Sequence, residues 1–226
     1  MGTPEGSSQE QALAGTLVNF VIHILTDAKG VRVEDAITVL GTIVAERCID
    51  AAGDYPLRDH QLTPGGRVFS DRVNELVAGD VASDDLTAFP ATSVVGTLRD
   101  ELVGKAYDAA HFPSMTAVFR AYAEGVGKSE DWGKVPLSVP EANQPFVMPL
   151  RIGYETRAAV DKLLAPLGGD KQRALHAATL ALARLLGMVR QAIDPGLALL
   201  LALETVNGMA KTAPMTEAAM KAASQG

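Results

Sequence analysis

The segment "KQRALHAATLALARLLGMVRQAI", residues 171–193, is apolar almost all the way round a helix. After its polar first turn, the charged or imidazole side chains that break it are His176, Arg184 and Arg190. The next one, "GLALLLALETVNGMAK", residues 196–211, is similar as far as Glu204. Helices of this kind are buried on most sides. The chain must therefore supply other helices to cover them, or use them as an oligomer interface. Asp170 before the first, and Asp194–Pro195 before the second, are ordinary helix starts: a carboxylate cap, then in the second case proline at the first helical position.

Helical spacing of apolar residues recurs upstream. It predicts helices over about 11–29, 33–52, 64–78, 93–108, 114–124 and 152–164. Gly30, Gly53 and Gly79 supply three of the stops. The expected fold is all-α: a single globular helical domain of about seven helices, with the two apolar C-terminal helices central. Residues 1–9 are polar and Gly/Ser-rich and read as a disordered tail. Residues 10–213 read as the domain and 214–226 as a C-terminal tail.

One stretch departs from this pattern. "KSEDWGKVPLSVPEANQPFVMP", residues 128–149, carries the only tryptophan and four of the twelve prolines. A flexible linker is poor in large apolar groups, yet Trp132, Val135, Leu137, Val139, Phe146, Val147 and Met148 fall here. Covering each large one recovers about 1.5–3 kcal/mol. Val135, Leu137 and Val139 alternate with Pro136, Ser138 and Pro140, so an extended run would place the aliphatics on one side. Loop 126–150 is expected to lie packed on the helices as an ordered strap. It would close the fold, roof a pocket or clasp a second subunit.

The 226 residues suffice for a sizeable core, and 47% are apolar. The net charge of −7 is uneven: residues 1–150 hold 11 basic and 21 acidic groups, residues 151–226 hold 9 and 6. No basic run suits a nucleic-acid backbone, so no nucleic-acid partner is expected. Cys48 stands alone in "TIVAERCIDAA", which rules out an intramolecular disulfide and suggests a small buried hydrophobe. The longest apolar run, Leu197–Leu203, is far short of the ~20 residues that span a bilayer. No leader pattern appears at the start. A cytoplasmic protein with no membrane partner is the expectation.

Motifs for chemistry are sparse. The four histidines do not pair at ligand spacing, and Glu46, Asp50 and Asp54 read as a solvated acidic stripe, so no metal and no cofactor are expected. "YAEGVGKSED" fails as a phosphate loop because Tyr122 stands where glycine is needed. No nucleophile motif appears, and the residues neither assign nor exclude an enzyme. In "LTPGGRVFSDR", Thr63–Pro64 reads as a helix start, and Gly65, Gly66 and Arg67 form a candidate anion site at its N-terminus. Under the loop, Trp132, Lys134, Asn143, Arg151 and Glu155 are candidate ligand-binding residues, with Trp132 as a wall and Arg151 meeting an anion. The plainer alternative has Arg151 pairing with Glu155 one turn on. Two functions follow: a helical protein acting through protein–protein contacts as a homodimer, or a binder or enzyme of a small anionic metabolite.

Overall fold

The computed structural model describes residues 4–53, 65–68, 70–79, 83–125 and 135–217, with backbone alone for 4–7. Among them lie eight α-helices: α1 (Pro4–Leu25), α2 (Val33–Ala52), α3 (Asp71–Ala78), α4 (Val94–Leu102), α5 (Met115–Gly125), α6 (Pro149–Leu164), α7 (Lys171–Val189) and α8 (Pro195–Ala210). Short 3-10 turns at Leu86–Ala88, Ala109–His111, Glu141–Asn143 and Ala165–Leu167 link some of them. The described residues contain no strand, only three isolated bridges. The fold is all-α, as the periodicity predicts.

The helix starts follow the caps. The Oδ1 of Asp170 accepts from the Arg173 N–H at 3.0 Å, and that of Asp194 from the Leu197 N–H at 3.0 Å. Ser93 Oγ accepts from the Gly96 N–H at the start of α4. Gly53 closes α2 in the left-handed region, at φ 71°. α1 begins and ends earlier than its spacing suggests, and α7 stops at Val189.

α7 and α8 are central, but they share the centre with α2. That helix packs against both of them, while they touch each other little, so it lies between them. Every residue from Asp35 to Ile49 is buried. Gly41 permits the close approach: a Cβ there would lie 3.0 Å from Thr205 Cγ2 on α8. α1 and α4 cover α7, α6 covers α2, and α5 lies along α8. The apolar faces of α7 and α8 are thus spent inside the chain. Cys48 is fully buried among them, and burial pushes its thiol pKa up.

The helix expected from Pro64 needs correction. α3 starts at Asp71, where Ser70 Oγ accepts from the Val73 N–H. Residues 65–68 instead run extended beside the C-terminal segment. The Gly65 N–H donates to Ala213 O at 2.9 Å, the Ala213 N–H to Gly66 O at 2.8 Å, and the Val68 N–H to Lys211 O at 2.8 Å. Gly65 has φ 78°, outside the helical range. The same pairing holds residues beyond α8 in place, and Ala213 and Met215 are buried.

The loop before α6 is a strap from Val135 onward. Val135 and Val139 are buried and Leu137 is half-buried. Val135 sits on the backbone of α8 so closely that a Cβ at Gly208 would overlap it. Buried Glu204 of α8 accepts hydrogen bonds from the Ser138 N–H and Oγ–H. At the other end, Asp35 accepts from the Phe146 N–H at 2.6 Å and the Val147 N–H at 3.1 Å. That anchorage turns the backbone inward and the Phe146 ring outward. Against the expectation that the apolar groups are covered, the ring is 84% exposed, with the Arg32 guanidinium 3.8 Å from its centroid.

Candidate functional site

Glu204 and Asn207 of α8 and Lys211, the residue that caps its C-terminus, follow at i, i+3 and i+7. Glu204 is used by the strap. Asn207 and Lys211 point into a box built by two other elements. α5 presents Phe119 and Tyr122, three apart and so on one face. The extended segment 65–68 contributes Arg67. Lys211 Nζ donates to Asn207 Oδ1 at 2.7 Å and lies 3.8 Å from the Phe119 centroid and 5.5 Å from that of Tyr122. Arg67 Cζ lies 5.1 Å from the same Tyr122 ring, and its Nη1 donates to Thr212 Oγ1 at 3.0 Å. The Tyr122 hydroxyl donates to Lys211 O at 3.0 Å.

The electrostatics of this box are unusual for the molecule. Lys211 is only 4% exposed, and no carboxylate lies within ion-pair distance of its ammonium among the described residues. Burial without a counter-ion lowers its pKa from 10.5 to about 7. Burial raises the Tyr122 phenol, with Arg67 pulling the other way. Asn207 is fully buried; its oxygen is taken by Lys211, while its Nδ2–H₂ has no acceptor. An unmade buried hydrogen bond costs about 1–3 kcal/mol. Ammonium, amide N–H and guanidinium therefore gather where acceptors are short. The complement of such a set is an oxyanion, carboxylate or phosphate.

Other buried or half-buried cations of the described residues are paired. Arg157 holds Glu46 through Nη2 at 2.7 Å and Nε at 3.3 Å. Arg47 Nη1 reaches Asp161 at 2.7 Å. Arg173 Nε meets Glu10 at 2.7 Å, and the other Glu10 oxygen lies 2.7 Å from His176 Nδ1. Glu46, read as part of a solvated stripe, is thus buried between guanidiniums. Asp54 lies outside the described residues. A cavity of about 170 Å³ is lined by Arg47, Asp50, Asp161, Leu164 and Lys171, among others. Among the described residues, no three His, Cys, Asp or Glu gather as a metal site.

The residues singled out in the sequence are dispersed. Trp132 and Lys134 lie outside the described residues. Asn143 Nδ2 donates to Glu34 Oε1 at 3.0 Å beside the start of α2. Arg151 Nε pairs with Glu155 Oε1 at 2.7 Å on an exposed face of α6, the plainer arrangement. The Gly65 N–H and the Gly66 carbonyl are spent on Ala213. Of the six that are described, Arg67 is the one that reaches the Lys211 box. Lys211, Asn207, Phe119 and Tyr122 were not anticipated; the signal was the polar stripe on an otherwise apolar helix. Among the described residues, no helix is long and apolar enough to cross a membrane. Comparison with protein-family models, curated proteins and solved structures finds no match, so the site rests on its own geometry.

Proposed function

We propose that the protein binds a small organic anion at the box formed by Lys211, Asn207 and Arg67. One observation carries this reading: among the described residues, a buried ammonium without a carboxylate stands beside a buried amide N–H without an acceptor. A carboxylate or phosphate oxygen answers both, and Arg67, 5.1 Å from the same Tyr122 ring, adds a second cation. The strap supports the same reading, because Val135 packs on Gly208, one turn before Lys211. The experiment is a thermal-shift and calorimetric screen with small mono- and dicarboxylates and phosphate esters. A true ligand at about one hundred times its Kd adds about 2.7 kcal/mol of stability. Lys211→Met should abolish the response and Arg67→Ala weaken it. A screen with no response, or a response unchanged in Lys211→Met, sinks the proposal.

A second reading is a protein–protein contact, within a homodimer or with another partner, centred on the strap. Phe146 favours it, as an exposed aromatic held in place by Arg32 and Asp35. Aromatic side chains fixed in this manner are enriched among interface anchors. Light scattering of the wild type and of Phe146→Asp tests it; a wild-type monomer at micromolar concentration counts against the homodimer.

A further inference from the structure

A second place on the molecule joins a cavity to unmet hydrogen-bond donors, and it shares no residue with the Lys211 box. Where α2, α6 and the start of α7 meet, a cavity of about 170 Å³ opens between Arg47, Asp50, Asp161, Asp170 and Lys171. Leu164, Leu167 and Ala174 supply its apolar wall. Gly168 and Gly169, left-handed at φ 67° and 84°, turn the chain from that wall into the first turn of α7.

Arg47 is incompletely satisfied there. Its side chain is 7% exposed. Nη1 meets Asp161 at 2.7 Å and Asp50 at 3.3 Å. Nε and Nη2 make no hydrogen bond among the described residues, and the Glu46 carboxylate stands 3.8 Å from Nη2. Buried donors without acceptors are costly, and charge-assisted bonds to a ligand oxygen would relieve that cost. The signs of the lining narrow the ligand. An anion alone would face the three carboxylates of Asp50, Asp161 and Asp170. A cation alone would face Lys171 and leave the Arg47 donors unmet. A molecule with both charges suits both sides. Size narrows it further: pockets for drug-sized ligands run from about 300 to 1,000 Å³, so this one admits only a few heavy atoms. We propose that the cavity binds a small aliphatic α-amino acid as its zwitterion. The carboxylate lies toward Arg47 and Lys171, the ammonium toward the three aspartates, and the side chain against Leu164 and Leu167. Asp50 and Asp161 serve Arg47 and the ammonium together, because each carboxylate offers about four acceptor sites. Arg47 Nε and Nη2 are covered by protein, so the guanidinium turns toward the cavity as the ligand enters.

The test is calorimetry on the full chain with L-alanine and L-valine, in the wild type and in Lys211→Met, which removes the other site. Valine should bind both proteins alike, and the Arg47 Nε–H resonance should move as valine saturates them. Isovalerate and isobutylamine are valine without its ammonium and without its carboxylate. In Lys211→Met each should bind weaker than valine by about tenfold or more, the effect of one lost charge-assisted contact. Lys171→Ala, at an exposed position, should weaken valine about tenfold for the same reason. Ala174→Leu should fill the cavity and abolish binding; its circular dichroism spectrum reports whether it folds. No heat from either amino acid at millimolar concentration overturns the proposal. A valine response lost in Lys211→Met also overturns it, by placing the ligand in the Lys211 box. Isovalerate or isobutylamine binding as tightly as valine overturns the zwitterion. Valine binding unchanged in both Lys171→Ala and a folded Ala174→Leu overturns the site.

Discussion

The α2–α6 contact and the end of α8 both put positive charge beneath the surface, and they treat it in opposite ways. Between α2 and α6, Glu46 accepts from Arg157 Nε and Nη2, and Asp161 and Asp50 lie at 2.7 and 3.3 Å from Arg47 Nη1. Burial works against the Arg157 charge, but the hydrogen bonds and field of Glu46, with Asp161 and Asp50, more than offset it and its pKa rises. At the end of α8, Lys211 has ring faces and an amide, and its pKa falls to about 7. A guanidinium cannot discard its proton at ordinary pH, so it must be paired. An amine can discard it, so it can be buried alone. Pairing locks two helices together. The unpaired amine leaves a site whose charge state is still open to a ligand.

This contrast can be broken most forcefully at Glu46. Glu46→Ala would leave Arg157, and in part Arg47, as buried charges without their carboxylate, at a cost of about 3–5 kcal/mol in urea denaturation. A loss under 1 kcal/mol would make the network incidental.

Lys211→Met should act in the opposite direction. Replacing a lone buried cation with an apolar chain of similar length should stabilise the protein by about 1–4 kcal/mol at pH 6.5. The pH dependence follows from the lowered pKa. Between about 7 and 10.5 the unfolded chain holds the Lys211 proton and the folded chain does not. Stability of the wild type therefore rises with pH across that window, by up to about 1.4 kcal/mol per pH unit, and this contribution is flat below it. The advantage of Lys211→Met should shrink accordingly by pH 9.5. An advantage independent of pH would show that Lys211 is not the titrating group.

Asp35→Ala probes the strap, which connects the two regions. Loss of two hydrogen bonds to a carboxylate should cost about 1.5–3 kcal/mol. Hydrogen exchange at the Phe146 and Val147 amides should quicken, while that of α8 stays slow. The smallest effect belongs to Arg151→Ala. Its exposed pair with Glu155 is screened by solvent, so the midpoint in urea should be nearly unmoved.

Much of the fold was legible, for local reasons. Caps at Asp170, Ser93 and Asp194 and the stop at Gly53 need only neighbouring backbone, so their positions can be read directly. The start of α3 could not be read that way. Pro64-Gly-Gly resembles a helix opening, but residues 65–68 pair with 211–213, far along the chain. The burial of α2 was likewise hidden. Asp35, Thr38, Thr42, Glu46 and Arg47 look like a solvated face until Asp35 is seen capping the strap and Glu46 holding Arg157. Aromatic and charged residues cluster near Trp132 in sequence and point to a site there. The box instead draws one group from residue 67, two from α5, Asn207 from α8 and Lys211 from the cap that follows it.

Periodicity and capping in the sequence alone determined that this chain is helical, where most helices begin, and that α7 and α8 must be covered. Those properties depend on contacts within a few residues and on the balance of apolar and polar faces. Only the tertiary structure decided which helix separates α7 from α8, which buried charges meet a carboxylate and which amine, among the described residues, does not. Those depend on which distant segments come to lie side by side: the rings of Phe119 and Tyr122 that help to bury Lys211 come from another helix.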